Sequence, residues 1–168
     1  MKSLTATLIT LLTVLTVSAT TPVVLKFKVL DSYGNGLRNV KVKTYQGNSV
    51  VESKNLRSGK ATIHLEAGTN YTIEFSLNGF ITKRISINTD LKGEEMWDFV
   101  YKFYVEMELT EEYSEISSTE DYFDYPAAII ELNSKTSEFD FNRVYGESSK
   151  THRKAVIEGV NEGLTYSE

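Results

Sequence analysis

Residues 61–88 read ATIHLEAGTNYTIEFSLNGFITKRISIN, and apolar and polar side chains alternate through three segments of this stretch. Ala67-Gly68-Thr69-Asn70 separates the first two segments, and Asn78-Gly79 separates the second from the third. Alternation with a period of two is typical of strands with one buried face, and Asn-Gly is a strong signal for a tight turn. The stretch therefore predicts three consecutive β-strands joined by short turns.

The same alternation occurs on both sides of this stretch. It covers residues 25–29 and 40–43 and, in the longest run, residues 99–109, while residues 50–51 are predicted to belong to a further short strand. About seven strands at spacings of roughly 8 to 12 residues are typical of an all-β sandwich. A single hairpin cannot bury these apolar faces, so two packed sheets are the simplest solution. The sequence thus predicts an all-β, seven-stranded, immunoglobulin-like sandwich.

Turn glycines and core apolar residues in this region follow a family pattern. The pattern reads D-x-x-G-x-x-L-x-x-V-x-V, then G-x(5)-L-x-x-G-x-x-Y, then G-[YF], and it is matched by Asp31, Gly34, Leu37, Val40, Val42, Gly59, Leu65, Gly68, Tyr71, Gly79 and Phe80. Over about residues 23–89 the chain resembles the carboxypeptidase regulatory-like domain, a transthyretin-like (prealbumin-like) sandwich. Two departures are Gly36, where the family often has Pro, and Leu56-Arg57, where a Thr-Asp pair is common. The resemblance implies a non-catalytic accessory fold of the kind found in secreted envelope proteins of the Bacteroidetes type.

The N-terminal residues have the three-part layout of a secretory signal peptide. Met1-Lys2 is positively charged, residues 4–17 are mostly apolar, and Val17-Ser18-Ala19 has the compact residues that a signal peptidase reads. A membrane anchor is the disfavoured alternative, because the apolar run is shorter than the roughly 20 residues of a spanning helix and several threonines interrupt it. We therefore expect residues 1–19 to be cleaved, the mature chain to have no membrane span, and the protein to be secreted to a bacterial periplasm or cell surface. The absence of cysteine excludes disulfides, thiolate metal sites and a lipoprotein anchor.

The composition changes after residue 110. Residues 111–125 are predicted to be an acidic linker, because six carboxylates lie among serines and threonines in 111–124. Residues 126–168 are predicted to hold a β-hairpin with strands near 128–132 and 139–141, followed by a short helix or tail. We expect the hairpin to pack against the sandwich of residues 20–110, since an isolated hairpin is marginal in water.

The chain carries no recognisable catalytic motif. Its histidines are His64, at a solvent-facing position of a predicted strand, and His152, in the polar C-terminal segment. Transthyretin-like hydrolases are a second and unfavoured alternative for function, because this chain resembles them in fold only and lacks their paired His and Arg residues. The zinc motif H-E-x-x-H and an EF-hand loop are also absent, so the acidic run 111–124 is a Ca²⁺ candidate by charge alone. We therefore predict that the chain is not an enzyme, with no catalytic, cofactor-binding or metal-binding residue and no cofactor.

The preferred hypothesis is a secreted, non-enzymatic envelope protein that acts as a protein-interaction or structural accessory module. Its partner would be an envelope or surface protein. The first alternative is a carbohydrate-binding accessory protein, in which Trp97 and Tyr104 form an aromatic platform while Tyr101 falls in the core register. A net charge of −5 with no evident basic cluster argues against a nucleic-acid partner.

Overall fold

The fold is a sandwich of two β-sheets, and the computed structural model describes residues 22–93, 99–110, 125–149 and 151. The strands are β1 (Pro22–Asp31), β2 (Val40–Gln46), β3 (Ser49–Leu56), β4 (Lys60–Glu66), β5 (Asn70–Ser76), β6 (Lys83–Asn88), β7 (Phe99–Met107), β8 (Ala128–Asn133) and β9 (Glu138–Phe141). A short helix covers residues 143–149. β1 to β7 lie where the sequence predicts seven strands, and β8 and β9 form the predicted hairpin. The prediction of an all-β sandwich with a C-terminal hairpin and short helix is confirmed.

The two sheets differ in size. The smaller sheet has three strands in the order β4-β1-β7, and the larger sheet has six in the order β3-β2-β5-β6-β8-β9. Most neighbouring strands are antiparallel, but β7 runs parallel to β1 and β8 runs parallel to β6. Each parallel pair joins strands that are distant in the chain, because parallel neighbours need a long connection. The first strand consequently lies at the centre of the smaller sheet.

The core lies between the sheets and consists of the inward-facing member of each alternating pair. On β1 these residues are Val23, Leu25, Phe27 and Val29, and all four are buried. Phe27 packs edge-to-face against Phe75 of β5, with ring centroids 5.1 Å apart, so this contact joins the two sheets. An aromatic pair of this geometry adds about 0.5–1.5 kcal/mol beyond the burial of apolar area.

The C-terminal hairpin extends the larger sheet and shares its core. Ile130 of β8 is the register partner of Ile87 on β6, and both side chains are fully buried. On β9, Phe139 meets Phe99 of β7 edge-to-face, with centroids 5.5 Å apart. The hairpin therefore packs against the sandwich, as expected from the marginal stability of an isolated hairpin.

A glycine fixes the meeting point of two loops beside β1. The Val29 N–H donates to the Gly59 carbonyl oxygen at 2.8 Å, and the Leu37 N–H donates to the Val29 carbonyl oxygen at 3.0 Å. Gly59 has a φ of +67°, and a Cβ atom at this position would lie 2.1 Å from the Leu37 carbonyl oxygen. Because no side chain fits there and the backbone is left-handed, the position requires glycine.

Several sequence predictions fall outside the described residues. They concern the signal peptide at 1–19, residues 111–124 of the linker, the segment after residue 151 with His152, and Trp97. These remain predictions. Across the described ranges, no helix combines the length and the hydrophobicity that crossing a bilayer requires.

Candidate functional site

Four lysines and a tyrosine share the outer surface of the smaller sheet. The odd-numbered residues of β1 point into the core, so the even-numbered residues point away from it. Lys26 and Lys28 lie on β1, Lys60 lies on β4, and Lys102 and Tyr104 lie on β7. We call the surface formed by these five residues the lysine face.

Strand pairing places the members of the lysine face next to one another. Lys28 is the register partner of Lys60 on one side and of Tyr104 on the other, and Lys26 is the register partner of Lys102. Neighbouring strands lie about 4.8 Å apart, and successive same-face residues of one strand lie about 6.8 Å apart. The five side chains line one shallow, open depression of about 540 Å³.

The lysines of this face differ in their ion pairing from three lysines elsewhere in the protein. Lys43 lies 3.4 Å from Glu74, Lys54 lies 2.7 Å from Glu52, and Lys83 lies 3.3 Å from Glu108. Within the part of the chain that the structure describes, no such ion pair involves a lysine of the lysine face. Among the described residues, no carboxylate neutralises its positive charges.

The register also sets like charges side by side. Lys28 stands opposite Lys60, and Lys26 stands beside Lys102. Like charges at directly opposed positions of a sheet destabilise it. An acid on the same outer surface, Glu106, lies two positions beyond Tyr104 on β7, at the rim. Positive charges at these opposed positions repel one another, and an anionic group bound to the lysine face would reduce that repulsion.

Apolar area accompanies the charges on this surface. Tyr104 is 71% exposed, and Val100, on the same strand, is 46% exposed. Tyrosine is enriched in protein interfaces because it offers a large apolar ring together with a hydroxyl group. The lysine face thus combines charge with an aromatic contact residue.

The structure corrects the expectation that the chain has no basic cluster. The cluster combines charges from β1, β4 and β7, which are distant in the sequence but adjacent in the sheet. On each strand alone, the lysines are ordinary polar members of an alternating pattern. The signal that sequence reasoning missed is that the outward positions of β1 and β7 carry Lys at corresponding places, and only the strand pairing reveals it.

The residues that the sequence singled out are distributed over different surroundings. His64 is exposed on β4, on the outer surface of the smaller sheet, and is the register partner of Val24. Tyr101 packs against the core as expected, and burial together with the negative charge of Asp140 raises the pKa of its hydroxyl to about 12. Tyr104 is exposed, so an aromatic platform could use it, whereas Trp97 lies outside the described residues.

A buried carboxylate on the larger sheet is fully occupied by internal partners. Glu74 is 7% exposed, and its Oε1 accepts a hydrogen bond from the Tyr45 hydroxyl at 3.3 Å. Arg84 Nε donates to Oε2 at 3.0 Å, and Lys43 Nζ lies 3.4 Å from Oε1. The Tyr45 hydroxyl and the Glu74 charge raise the pKa of Lys43 above its ordinary value. Because opposite charges pair across neighbouring strands, the group stabilises the sheet, and both Glu74 oxygens are engaged by side chains of the protein.

Metal-binding side chains are dispersed in the described part of the chain. There, no three His, Cys, Asp or Glu side chains lie close enough together to hold a metal ion. The acidic run 111–124 lies outside the described residues, so the Ca²⁺ hypothesis for this run remains a prediction from the sequence.

The fold and surface together define an all-β sandwich with a cationic outer face. No family model matches the chain, and no curated protein matches it in sequence. The strand pairing establishes the β-sandwich. The resemblance to the carboxypeptidase regulatory-like domain remains a prediction from the residues.

Solved structures of other proteins share parts of this fold. The catechol 1,2-dioxygenase from Acinetobacter sp. ADP1, inhibited by bound mercury, is 10% identical over 56% of this chain and 54% of that chain, with a TM-score of 0.40. The protein S.CueP is 19% identical over 48% of this chain and 59% of that chain, with a TM-score of 0.34. The 3-chlorocatechol 1,2-dioxygenase from Rhodococcus opacus 1CP is 11% identical over 52% of this chain and 59% of that chain, with a TM-score of 0.35. The chain spans between 54% and 59% of the length of these structures, and the likeness shows the fold alone.

The comparison corrects the prediction that the chain is not an enzyme. Two of these three structures are of catechol dioxygenases, which are enzymes. The prediction relied on the absence of short motifs, but an active site is assembled from side chains that the fold brings together from distant strands. The absence of a motif was therefore an insufficient ground. The likeness assigns no reaction to this chain.

Proposed function

We propose that this protein is an extracytoplasmic protein-interaction or structural accessory module that contacts an envelope or surface protein through the lysine face. The observation that carries the proposal is the group of four lysines around the exposed Tyr104, which form no ion pair with any residue that the structure describes. The lysine face is a positive patch on a molecule with a net charge of −5, so the protein's charge is unevenly distributed over its surface. Complementary charge of this kind steers association and selects partners. The signal-peptide pattern and the resemblance to accessory domains support the location and the role.

The test compares partner capture by the wild-type chain and by a variant of the lysine face. The tagged full chain is expressed in its native host, cross-linked in the envelope fraction and purified, and co-purifying proteins are quantified. We expect a stoichiometric protein partner with the wild type and loss of most of that partner with K28Q/K60Q. The control K41Q/K135Q removes the same charge from exposed lysines of β2 and of the β8–β9 turn, and should capture the partner normally.

Two results would contradict this proposal. If all three proteins captured the same partner equally, the lysine face would not be the contact surface. If the wild type were recovered with no protein partner, the role as a protein-interaction module would be wrong.

A second candidate function, carbohydrate binding, is favoured by the exposure of Tyr104. An aromatic ring flanked by lysines could stack on a sugar ring while the ammonium groups bind its acidic substituents. This hypothesis expects retention on an immobilised envelope polysaccharide that is lost with Tyr104→Ala and with Trp97→Ala, at an unchanged melting temperature. If Trp97→Ala instead lowered the melting temperature sharply, Trp97 would be a core residue and the aromatic platform would fail.

A further inference from the structure

We propose that the lysine face recognises an extended acidic polypeptide segment of the partner, with carboxylates at alternate positions. This inference rests on the proposed function and names the chemistry of the partner. It follows from the spacing of the four lysines, from the pairing of the backbone beneath them and from the apolar residues beside them.

The spacing of the lysines matches that of an extended chain. Lys26 and Lys28 are successive same-face residues of β1, so their Cα atoms lie about 6.8 Å apart. In an extended polypeptide, alternate side chains repeat at the same interval of about 6.8 Å along one face. Carboxylates at every second position can therefore meet the rows of Lys26 with Lys102 and of Lys28 with Lys60 in turn.

A compact anion fits this surface poorly. Sites for phosphate and similar groups use backbone N–H groups that converge on the ligand, often at a helix N-terminus. On the lysine face, β1 is paired along its length with β4 on one side and with β7 on the other. Its backbone N–H groups therefore bond within the sheet, and the positive charge offered to a ligand comes from the lysine side chains. Charges spread over two rows favour a ligand with several separated negative groups.

The neutral surroundings of the lysines favour a polypeptide over an acidic polysaccharide. Sites for small ligands and sugars are concave and offer several neutral hydrogen-bonding groups, whereas protein interfaces are flatter and use aromatic contacts. The depression is shallow. Among the residues that line it, Thr62 and Tyr104 carry a neutral hydroxyl group. Tyr104 and Val100 provide exposed apolar area along the β7 side. Apolar residues placed between the carboxylates of an extended segment can contact this area.

The decisive experiment measures binding of defined acidic ligands to the full chain, purified as its expression host processes it. The first ligand is a ten-residue peptide with glutamate at alternate positions, and the second is a peptide of equal composition with its glutamates in one block. The third is oligogalacturonate, an acidic saccharide. Affinities are obtained by calorimetric titration at low and high salt for the wild type, K28Q/K60Q and K41Q/K135Q.

We expect the alternating peptide to bind the wild type more tightly than the block peptide and the saccharide. K28Q/K60Q should weaken its binding about tenfold, because two solvent-exposed ion pairs are lost, while K41Q/K135Q should not change it. High salt should weaken the binding for the same reason.

Other outcomes overturn the inference in distinguishable ways. Equal binding of the block peptide would show that charge alone, and not an extended carboxylate repeat, is recognised. Preferential binding of oligogalacturonate would identify a saccharide as the ligand. If no peptide binds but K28Q/K60Q still loses the envelope partner, the acidic-segment chemistry is wrong and the proposed function stands. If neither peptide binding nor partner capture depends on the lysines, both proposals fail.

Discussion

At the residue scale, single positions are constrained by contacts that the alternating pattern does not report. Gly59 is left-handed and lies against the Leu37 carbonyl, so a side chain there meets backbone atoms that cannot move aside. Gly47 is also left-handed, with a φ of +57°, but no heavy atom lies within 4 Å of the place where its Cβ would be. Comparing substitutions at the two glycines therefore separates the free-energy cost of backbone strain from that of a steric collision.

We predict that Gly59→Ala lowers the free energy of unfolding by about 2–4 kcal/mol. The strain of the left-handed backbone and the collision of the new Cβ with the Leu37 carbonyl oxygen both contribute to this loss. Gly47→Ala should cost only about 1 kcal/mol, from strain alone. Urea unfolding of the three proteins measures both values. Equal losses for the two variants would contradict the close approach of Gly59 to Leu37.

The hydroxyl of Tyr101 makes stability depend on pH at the alkaline end. Burial and the Asp140 charge raise its pKa in the folded protein to about 12, whereas an unfolded tyrosine ionises near pH 10. Between about pH 10 and pH 12 the unfolded chain loses this proton while the folded chain keeps it, so the contribution is present below pH 10 and is lost as the pH rises. Tyr101→Phe should make stability fall less steeply over this interval, as measured by urea unfolding at successive pH values.

Asp140→Asn provides a matched comparison for this effect. It removes the second cause of the raised pKa while Tyr101 stays buried, so the fall of stability should lie between those of the wild type and Tyr101→Phe. Identical pH profiles for the wild type and Tyr101→Phe would show that Tyr101 is not desolvated in the folded protein.

Alternation of residues predicts which way a side chain points but not what surrounds it. It correctly placed Tyr101 towards the core and Tyr104 and His64 towards solvent, because strand geometry is local. It could not reveal that Glu74, on the outer side of β5, is buried between Lys43 and Arg84, because that burial depends on the neighbouring strands.

At the scale of elements, the sequence predicts the strands more completely than their pairing. All seven strands of residues 22–107 and both strands of the hairpin lie where alternation and turn residues indicate them. The parallel pairs β1–β7 and β6–β8 were not predicted, because parallel neighbours are joined by long connections that leave no turn signal. The position of β1 at the centre of the smaller sheet follows from one of these pairs.

The hairpin of β8 and β9 is predicted to unfold together with the sandwich. Ile130 is fully buried between β6 and the core, so Ile130→Ala should lower the free energy of unfolding by about 2–5 kcal/mol while a single transition remains. Ile129 is the adjacent half-buried residue of β8, and Ile129→Ala should lower the free energy of unfolding by less than Ile130→Ala does. Thermal unfolding followed by tyrosine fluorescence and by far-ultraviolet circular dichroism distinguishes these cases. An unchanged transition with Ile130→Ala would show that the hairpin is not part of the cooperative unit.

At the scale of the whole molecule, charge is distributed unevenly over an acidic protein. On the larger sheet, Glu74 is paired with Lys43 and Arg84. The smaller sheet presents four lysines that form no ion pair within the described residues. The net charge does not reveal this distribution, because it sums over residues without regard to position. The candidate site could not be predicted for the same reason, since it exists only when β1, β4 and β7 are side by side.

Under the proposed function, the lysine face serves binding and not the stability of the fold. The most direct measurement is the melting temperature of K28Q/K60Q at low ionic strength, compared with the wild type and K41Q/K135Q. Because Lys28 and Lys60 repel each other across the sheet, we predict that K28Q/K60Q melts roughly 1–4 °C above the wild type and that added salt narrows the difference. A melting temperature clearly below that of the wild type would mean that these lysines hold the sheet together, and the account of a free cationic binding surface would be contradicted.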